Sequence, residues 1–315
     1  MVCPKCHLST RNQRLSGHGD EVLCARFSPD GKHIASAGFD RDILLWNTTG
    51  AVDNYGKMAG HKNGILDLQW SRDGSAIFTA SADQTISSWN AETGERIRRH
   101  VGHTEIVNSI DVSRRGEEFI VSGSDDGYVG LWDPRQKKAL DFLRTDEGRC
   151  VIAVCCGETG NEVYSGGIEE DICVWDLRNK KIAYTLPGHT DTITSLSLSP
   201  DASTLLSFSH DNTARTWNIL PFAPENRLIR TFDGATYTGE GPINMLRASW
   251  GRDGKLIGVG GDQGIVTIWD SQSGVMKHRL PGHKGAVTDV RFSPDGSMLL
   301  SASVDRSMLL GDMPR

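Results

Sequence analysis

The chain has 315 residues and carries 34 Lys and Arg against 40 Asp and Glu, a formal net charge of −6. That balance excludes broad, sequence-independent phosphate binding, which needs clustered cations, and no apolar stretch reaches the roughly 18 residues of a membrane-spanning helix. The seven cysteines (Cys3, Cys6, Cys24, Cys150, Cys155, Cys156 and Cys173) are odd in number and lie mostly in apolar runs such as 151–156. Such usage fits reduced thiols in the cytosol or nucleus, not a disulfide framework.

Residues 1–7 read as a flexible terminus. Cys3-Pro4-Lys5-Cys6-His7 looks like half of a zinc knuckle. Zinc needs four ligands and no second pair exists in the chain, so no metal is expected. From residue 8 onward, short apolar–polar alternations are broken by turn dipeptides such as Asp30-Gly31, Asp73-Gly74, Asp253-Gly254 and Asp295-Gly296. These are hairpin signals.

A tryptophan then marks time along the chain. Trp46, Trp89, Trp132, Trp175, Trp217 and Trp269 follow one another at steps of 43, 43, 43, 42 and 52 residues, each with Asp or Asn next. An acid lies six residues before each of the first five: Asp40, Asp83, Asp126, Glu169 and Asp211. Four residues before the acid is a hydroxyl: Ser36, Thr79, Ser122, Ser165 and Ser207. Farther upstream is the His of a Gly-His pair: His18, His61, His103 and His189. A seventh block has His283, Ser301 and Asp305, with Gly311 where its Trp falls. Two blocks depart: the fourth has Glu147 at the His position, and the sixth has Gly241, Val259 and Gln263 at the His, hydroxyl and acid positions.

A period in the low forties ending in Trp-Asp predicts an all-β, seven-bladed WD-repeat β-propeller. The blades are expected at 17–59, 60–101, 102–143, 144–187, 188–233, 234–281 and 282–313. The last block stops after its third strand, and Arg14-Leu15-Ser16 resembles the outer strand Arg279-Leu280-Pro281. Residues 8–16 are therefore expected to complete blade seven and close the ring, which removes exposed sheet edges. The long Trp step predicts an elongated loop over 221–242, rich in Pro and Gly.

A Ser/Thr, His and Asp set recurs in five blocks, with Thr79 as the hydroxyl of the second. A hydrolase triad needs one exposed nucleophile and an oxyanion hole. A set repeated five times and tied to a Trp reads instead as a buried hydrogen-bond network that satisfies indole, hydroxyl and imidazole together. No catalytic residue and no cofactor is expected. Gly258-Val259-Gly260-Gly261 and the glycines of 234–241 lack a phosphate-loop Lys or a following helix. The runs Arg135-Gln136-Lys137-Lys138 and Arg178-Asn179-Lys180-Lys181 read as solvated turns entering the outer strands.

Function is then expected on rim loops held by rigid blades. The residues just before the repeat acid are Phe39, Ala82, Asp125, Ile168, His210, Asp262 and Val304. Apolar Phe39, Ile168 and Val304 at loop tips, with Arg41, Glu169 and Glu170 beside them and Asp125 and His210 on the same rim, are candidate partner contacts.

Specific stretches go further than the repeat. Ala35-Ser36-Ala37-Gly38-Phe39-Asp40-Arg41, Ile43-Leu44-Leu45-Trp46-Asn47 and Asp53-Asn54-Tyr55 resemble the first blade of the WD-repeat family of the U5 small nuclear ribonucleoprotein. Ser165-Gly166-Gly167-Ile168 with Val174-Trp175-Asp176-Leu177-Arg178 resembles its fourth blade. Pro221-Phe222-Ala223-Pro224 resembles the segment closing its fifth, which adds Phe222 to the candidate contacts. The resemblance spans about 15–312. It implies a nuclear, non-enzymatic spliceosome subunit that docks on the large U5 scaffold protein, with RNA contact indirect or minor and no small-molecule substrate. A different reading is a substrate receptor of a cullin-RING ubiquitin ligase, since Trp132-Asp133-Pro134-Arg135 and Trp175-Asp176-Leu177-Arg178 place an Arg two residues after Trp-Asp.

Overall fold

A computed structural model describes residues 12–50, 52–144, 148–235 and 245–313. Among these residues there are 28 strands and no helix. The strands form seven four-stranded antiparallel sheets, six of them built from consecutive strands. In the seventh, Asn12–Ser16 pairs with Ser307–Asp312, putting Leu15 opposite Met308. The N-terminal strand thus supplies the outer edge of the last blade. Leu15 is buried there against Trp46, Leu44 and Leu310.

Seven apolar clusters hold the ring, each bridging neighbouring blades. Cys24, Ile43 and Met58 of blade one meet Ile65, Leu68 and Trp89 of blade two. Val266 and Ile268 of blade six meet Val287 and Val290 of blade seven. A sheet that is apolar on both faces must bury both, and stacking on two neighbours does so.

The inner strands run along the ring axis. In six blades the first residues of the inner strand carry a register shift, as between Val22 and Cys24, Ile65 and Asp67, and Val287 and Asp289. Such a bulge re-aims the side chains that follow. Here it accompanies polar residues, Asp67, Ser109 and Asp289, on the axis side of otherwise apolar strands.

One expectation is corrected. The stretch 221–242 is not a single loop, because Leu228–Phe232 within it is the outer strand of blade five, paired with Ala214–Asn218. Alternating Leu-Ile-Arg-Thr-Phe carries a strand signal that the flanking Pro and Gly residues obscure. Outside that strand, the described residues of the stretch are 221–227 ahead of it and 233–235 after it.

Candidate functional site

The buried networks come first because they set the loops. In blade three, the Trp132 indole N–H donates to Ser122 Oγ (2.8 Å), and Ser122 Oγ lies 2.7 Å from His103 Nε2. His103 Nδ1 lies 2.8 Å from Asp126 Oδ2. The indole can only donate and the carboxylate only accepts, so the protons order themselves. The hydroxyl donates to Nε2, and Nδ1–H donates to Asp126. Blade one repeats this through Trp46, Ser36, His18 and Asp40. Blade two uses Trp89, Thr79, His61 and Asp83. Blade five uses Trp217, Ser207, His189 and Asp211.

The order of hydroxyl, imidazole and carboxylate matches a hydrolase triad, but the hydroxyl cannot work as a nucleophile. Ser36, Thr79, Ser122 and Ser207 are fully enclosed, and each oxygen already accepts the indole proton. No acyl group can approach such an atom. The Gly of each Gly-His pair is set by the Trp. A Cβ on Gly60 or Gly188 would lie 3.1 Å from the Trp89 or Trp217 ring edge, and both glycines have φ above +150°.

What the network produces is a fixed loop tip. Asp83 Oδ2 accepts the Lys62 N–H, while its Oδ1 accepts from the Thr85 N–H and hydroxyl. The residue between, Gln84, sits at φ 69°, as do Arg41, Asn212 and Arg306 at similar angles in their blades. Burial alone would raise these carboxyls. The His hydrogen bond and the turn donors outweigh it and hold Asp40, Asp83, Asp126 and Asp211 below the ordinary carboxylate range. Asp305, held by the Ser307 hydroxyl and Lys284 N–H against the same burial, falls to about 2.

Three blades depart. Blade four keeps the Trp175 N–H to Ser165 bond (2.8 Å), and its Glu147 lies outside the described residues. Blade six has Val259 in place of the hydroxyl, and its Gly241 is also outside the described residues. Blade seven keeps His283 with Ser301 (2.9 Å) and Asp305 (3.1 Å). With no Trp there, Leu309 takes the place of the ring edge, its Cδ1 lying 2.7 Å from where a Cβ on Gly282 would stand.

The candidate contacts divide between two faces. Phe39 is 45% exposed and lies against Gly64 of blade two; Ile168 is 47% exposed. Val304 is half-buried, packed on Gly285 and on the core between blades five and six. Asp125 accepts the Asn108 amide (2.7 Å). Arg41 and Glu170 are exposed, and Glu169 and His210 half-buried. All lie in loops at the same end of the strands, but Phe39 and Ile168 stand three blades apart, nearly across the ring. The exposed cations Arg41, Lys62, Lys284 and Arg306 gather on blades seven, one and two of this face. Phe222 belongs to the opposite face, in the turn after the Trp217 strand, and is 100% exposed. Its turn is held rigidly: Arg227 donates to the Asn218 and Leu220 carbonyls (3.1 and 3.0 Å) and stacks 4.2 Å from the Tyr184 ring centre. The Cys3–His7 segment lies outside the described residues.

The sequence pattern of the WD domain, G-beta repeat family matches residues 9–47, 53–90, 94–133, 180–218 and 274–310. The human U5 small nuclear ribonucleoprotein 40 kDa protein is 46% identical over 312 residues, covering 98% of this chain and 86% of that protein. Pre-mRNA-splicing factor cwf17 of Schizosaccharomyces pombe is 43% identical over 306 residues, at 97% and 88% coverage. The Dictyostelium discoideum U5 40 kDa protein is 40% identical over 301 residues, at 95% and 84% coverage. The chain belongs to the U5 40 kDa family of WD-repeat proteins. The stretches 134–179 and 219–273, which the repeat pattern leaves unmatched, hold the first three strands of the fourth and sixth blades, and both blades are nevertheless complete four-stranded sheets.

Two features of this U5 40 kDa family member lie beyond the motif. Along the ring axis, Arg26 donates to Asp67 (3.0 Å) and bonds Asp289; Arg247 reaches across to the Leu23 and Leu66 carbonyls (3.1 and 2.8 Å). Arg291 is 2.9 Å from Asp289, and burial followed by the neighbouring Arg26 charge lowers it to about 10. Arg26, Asp67, Arg247 and Arg291, together with Asp111 and Arg114, line a cavity of about 210 Å³. The second is His100, fully buried and bonded to the Ser88 hydroxyl (2.6 Å) and the Gln136 carbonyl (2.7 Å). It fastens the outer strand of blade two to the turn of blade three. Arg135 of that turn is bound to Asp133 (2.9 Å), Arg178 to Asn161 (3.2 Å) and Lys180 to Asp141 (2.5 Å).

Among the described residues there is no disulfide; Cys24, Cys155, Cys156 and Cys173 are buried, and Cys150 is half-buried. Burial pushes the Cys24 and Cys173 thiols up to about 12.

Proposed function

We propose that this protein is a non-catalytic scaffold subunit of the nuclear U5 small nuclear ribonucleoprotein, acting in pre-mRNA splicing and docking on the large U5 scaffold protein. The observation that carries this reading is kinship along nearly the whole chain, 46% over 98% of it, with a protein named for that particle. The site geometry supports it. The pinned loop tip of blade one presents Phe39 at low ordering cost, the property that preorganised docking surfaces need, and the Ile168 tip of blade four is tied by its N–H to the Cys150 carbonyl (3.3 Å). Phe222, on its latched turn, serves as a second anchor on the opposite face. The half-buried Asp125, Glu169, His210 and Val304, with exposed Arg41 and Glu170, form the rim of the first contact.

Affinity purification of the tagged chain from nuclear extract tests this. U5 RNA and U5 proteins are expected to co-purify, and their absence refutes the reading. Phe39→Asp and Ile168→Asp should reduce recovery of the large U5 protein without lowering the melting temperature. An undiminished yield in both variants removes that face as the contact.

A further inference from the structure

On the face opposite Phe39, the turns of blades one and two enclose a cleft of about 490 Å³. Its floor is His33, Tyr55 and Trp70, with Tyr55 edge-on to His33 at 5.3 Å, and its rim carries Asp30, Asp73 and Glu92. Two of its donors are already used within the protein. The Ser28 hydroxyl donates to Asp30 (2.6 Å), and the Trp70 indole N–H donates to the Arg26 carbonyl (3.2 Å). Hydrogen bonds from Ser28 and Ser71 hold Asp30 and Asp73 below the ordinary carboxylate range, so both are charged at neutral pH. His33 Nδ1 is buried and has no hydrogen-bond partner. The nearest cation, Lys32, is 3.8 Å from Asp30 with a side chain 74% exposed, a weak and displaceable counter-ion.

The cleft therefore offers acceptors, negative charge and an exposed aromatic face, and lacks the cation to match them. We propose that it takes the guanidinium of an arginine side chain from a basic partner peptide. A planar cation can stack on Tyr55, which is 47% exposed, while its fork of N–H donors reaches the rim carboxylates. A lysine ammonium carries the charge without the plane or the fork, and holds its water more tightly. This site is independent of the U5 assembly proposed above, because its test uses the purified chain alone.

The experiment is saturation-transfer NMR and titration of the full chain with Ac-Gly-Arg-Gly-NH2 and with its citrulline and lysine counterparts. Citrulline keeps the shape and removes the charge. The arginine peptide is expected to bind about tenfold or more tighter than either counterpart. Glu92→Lys and Tyr55→Leu, both at exposed positions, should each weaken it by about tenfold, with unchanged far-UV circular dichroism showing that the variants fold. Glu105→Lys, on the opposite face, should leave binding intact. Equal binding of citrulline or lysine overturns the assignment. So does equal weakening by Glu105→Lys and Glu92→Lys, which would mean diffuse charge attraction, and so does an absence of saturation transfer.

Discussion

Removing one hydroxyl from each of three blades separates the contributions within the buried network. Ser122→Ala in blade three leaves two enclosed groups without partners, the Trp132 indole N–H and His103 Nε2. Each buried orphan costs about 1–3 kcal/mol, so the pair should cost about 2–6 kcal/mol. Ser165→Ala in blade four strands the Trp175 N–H and should cost about 1–2 kcal/mol. Ser301→Ala in blade seven strands only His283 Nε2, at a less enclosed site with no Trp, and should cost about 1 kcal/mol. With unfolding entropy near 2.1 cal/mol/K per residue, the Ser122 variant should melt roughly 3–9 °C lower than wild type. The assay is urea unfolding followed by tryptophan fluorescence, with calorimetry as a check. A Ser165→Ala cost equal to or above that of Ser122→Ala refutes the reasoning, because it would mean that the His end of the network contributes nothing.

Acid should weaken the protein in a defined window. The folded carboxyls of Asp83, Asp211 and Asp305 lie below their unfolded value near 3.8, so the unfolded chain takes up protons first as pH falls. Their stabilisation is complete above the unfolded value and is lost as pH drops from about 4 toward 2; Asp305→Asn should flatten the urea midpoint across that range. Leu15→Ala, which empties a buried position in the closing strand, should cost about 2–5 kcal/mol and raise protease cleavage near the N-terminus. Thiol labelling of the native protein, mapped by mass spectrometry, should modify Cys150 before Cys24, Cys155, Cys156 or Cys173, with the last four reacting only in denaturant. Asp289→Ala leaves Arg26, Arg247 and Arg291 facing one another across the axis and should cost about 3–5 kcal/mol, visible as a lowered urea midpoint.

What was legible in the sequence is whatever repeats. The Trp, hydroxyl, His and acid positions recur every 42 or 43 residues, so chance coincidence averages out and the network stands clear. The closing strand was legible because the last block lacks one. The axis cluster was not, since Arg26, Asp67, Arg247 and Asp289 differ from blade to blade and look in sequence like ordinary polar residues of an alternating strand. Only the ring brings residues 26 and 289 together. His100 was hidden for the same reason: it occurs once, beside the repeated Gly-His, and its partner is a carbonyl, which sequence does not display. The placement of Phe222 opposite Phe39 follows from strand direction, and reading a Pro-rich stretch as one loop concealed the strand that decides it.

The axis residues also explain how blades lacking the network are kept in place. The inner strand of every blade presents an edge of unpaired N–H groups toward the axis, an arrangement that invites mispairing unless it is covered. In four of the blades the preceding blade covers it with a side chain. Asp289 accepts the Ala25 N–H (3.1 Å), Asp67 the Ile110 N–H (3.1 Å), Asp111 the Cys156 N–H (2.7 Å) and the Ser195 hydroxyl the Ala248 N–H (3.0 Å). The last two of these acceptors fasten blades four and six, the blades whose own His and acid positions have diverged. Each is held by a neighbour that keeps its full network, blade three in one case and blade five in the other. Asp67 and Asp289, placed so deep, require cations, and Arg26, Arg247 and Arg291 supply them from blades one, six and seven, so that one charged cluster ties blades six and seven to blades one and two. The ring can therefore let individual blades drift in sequence as long as the inner acceptors and the closing strand remain, which leaves the outer loops free to specialise in binding.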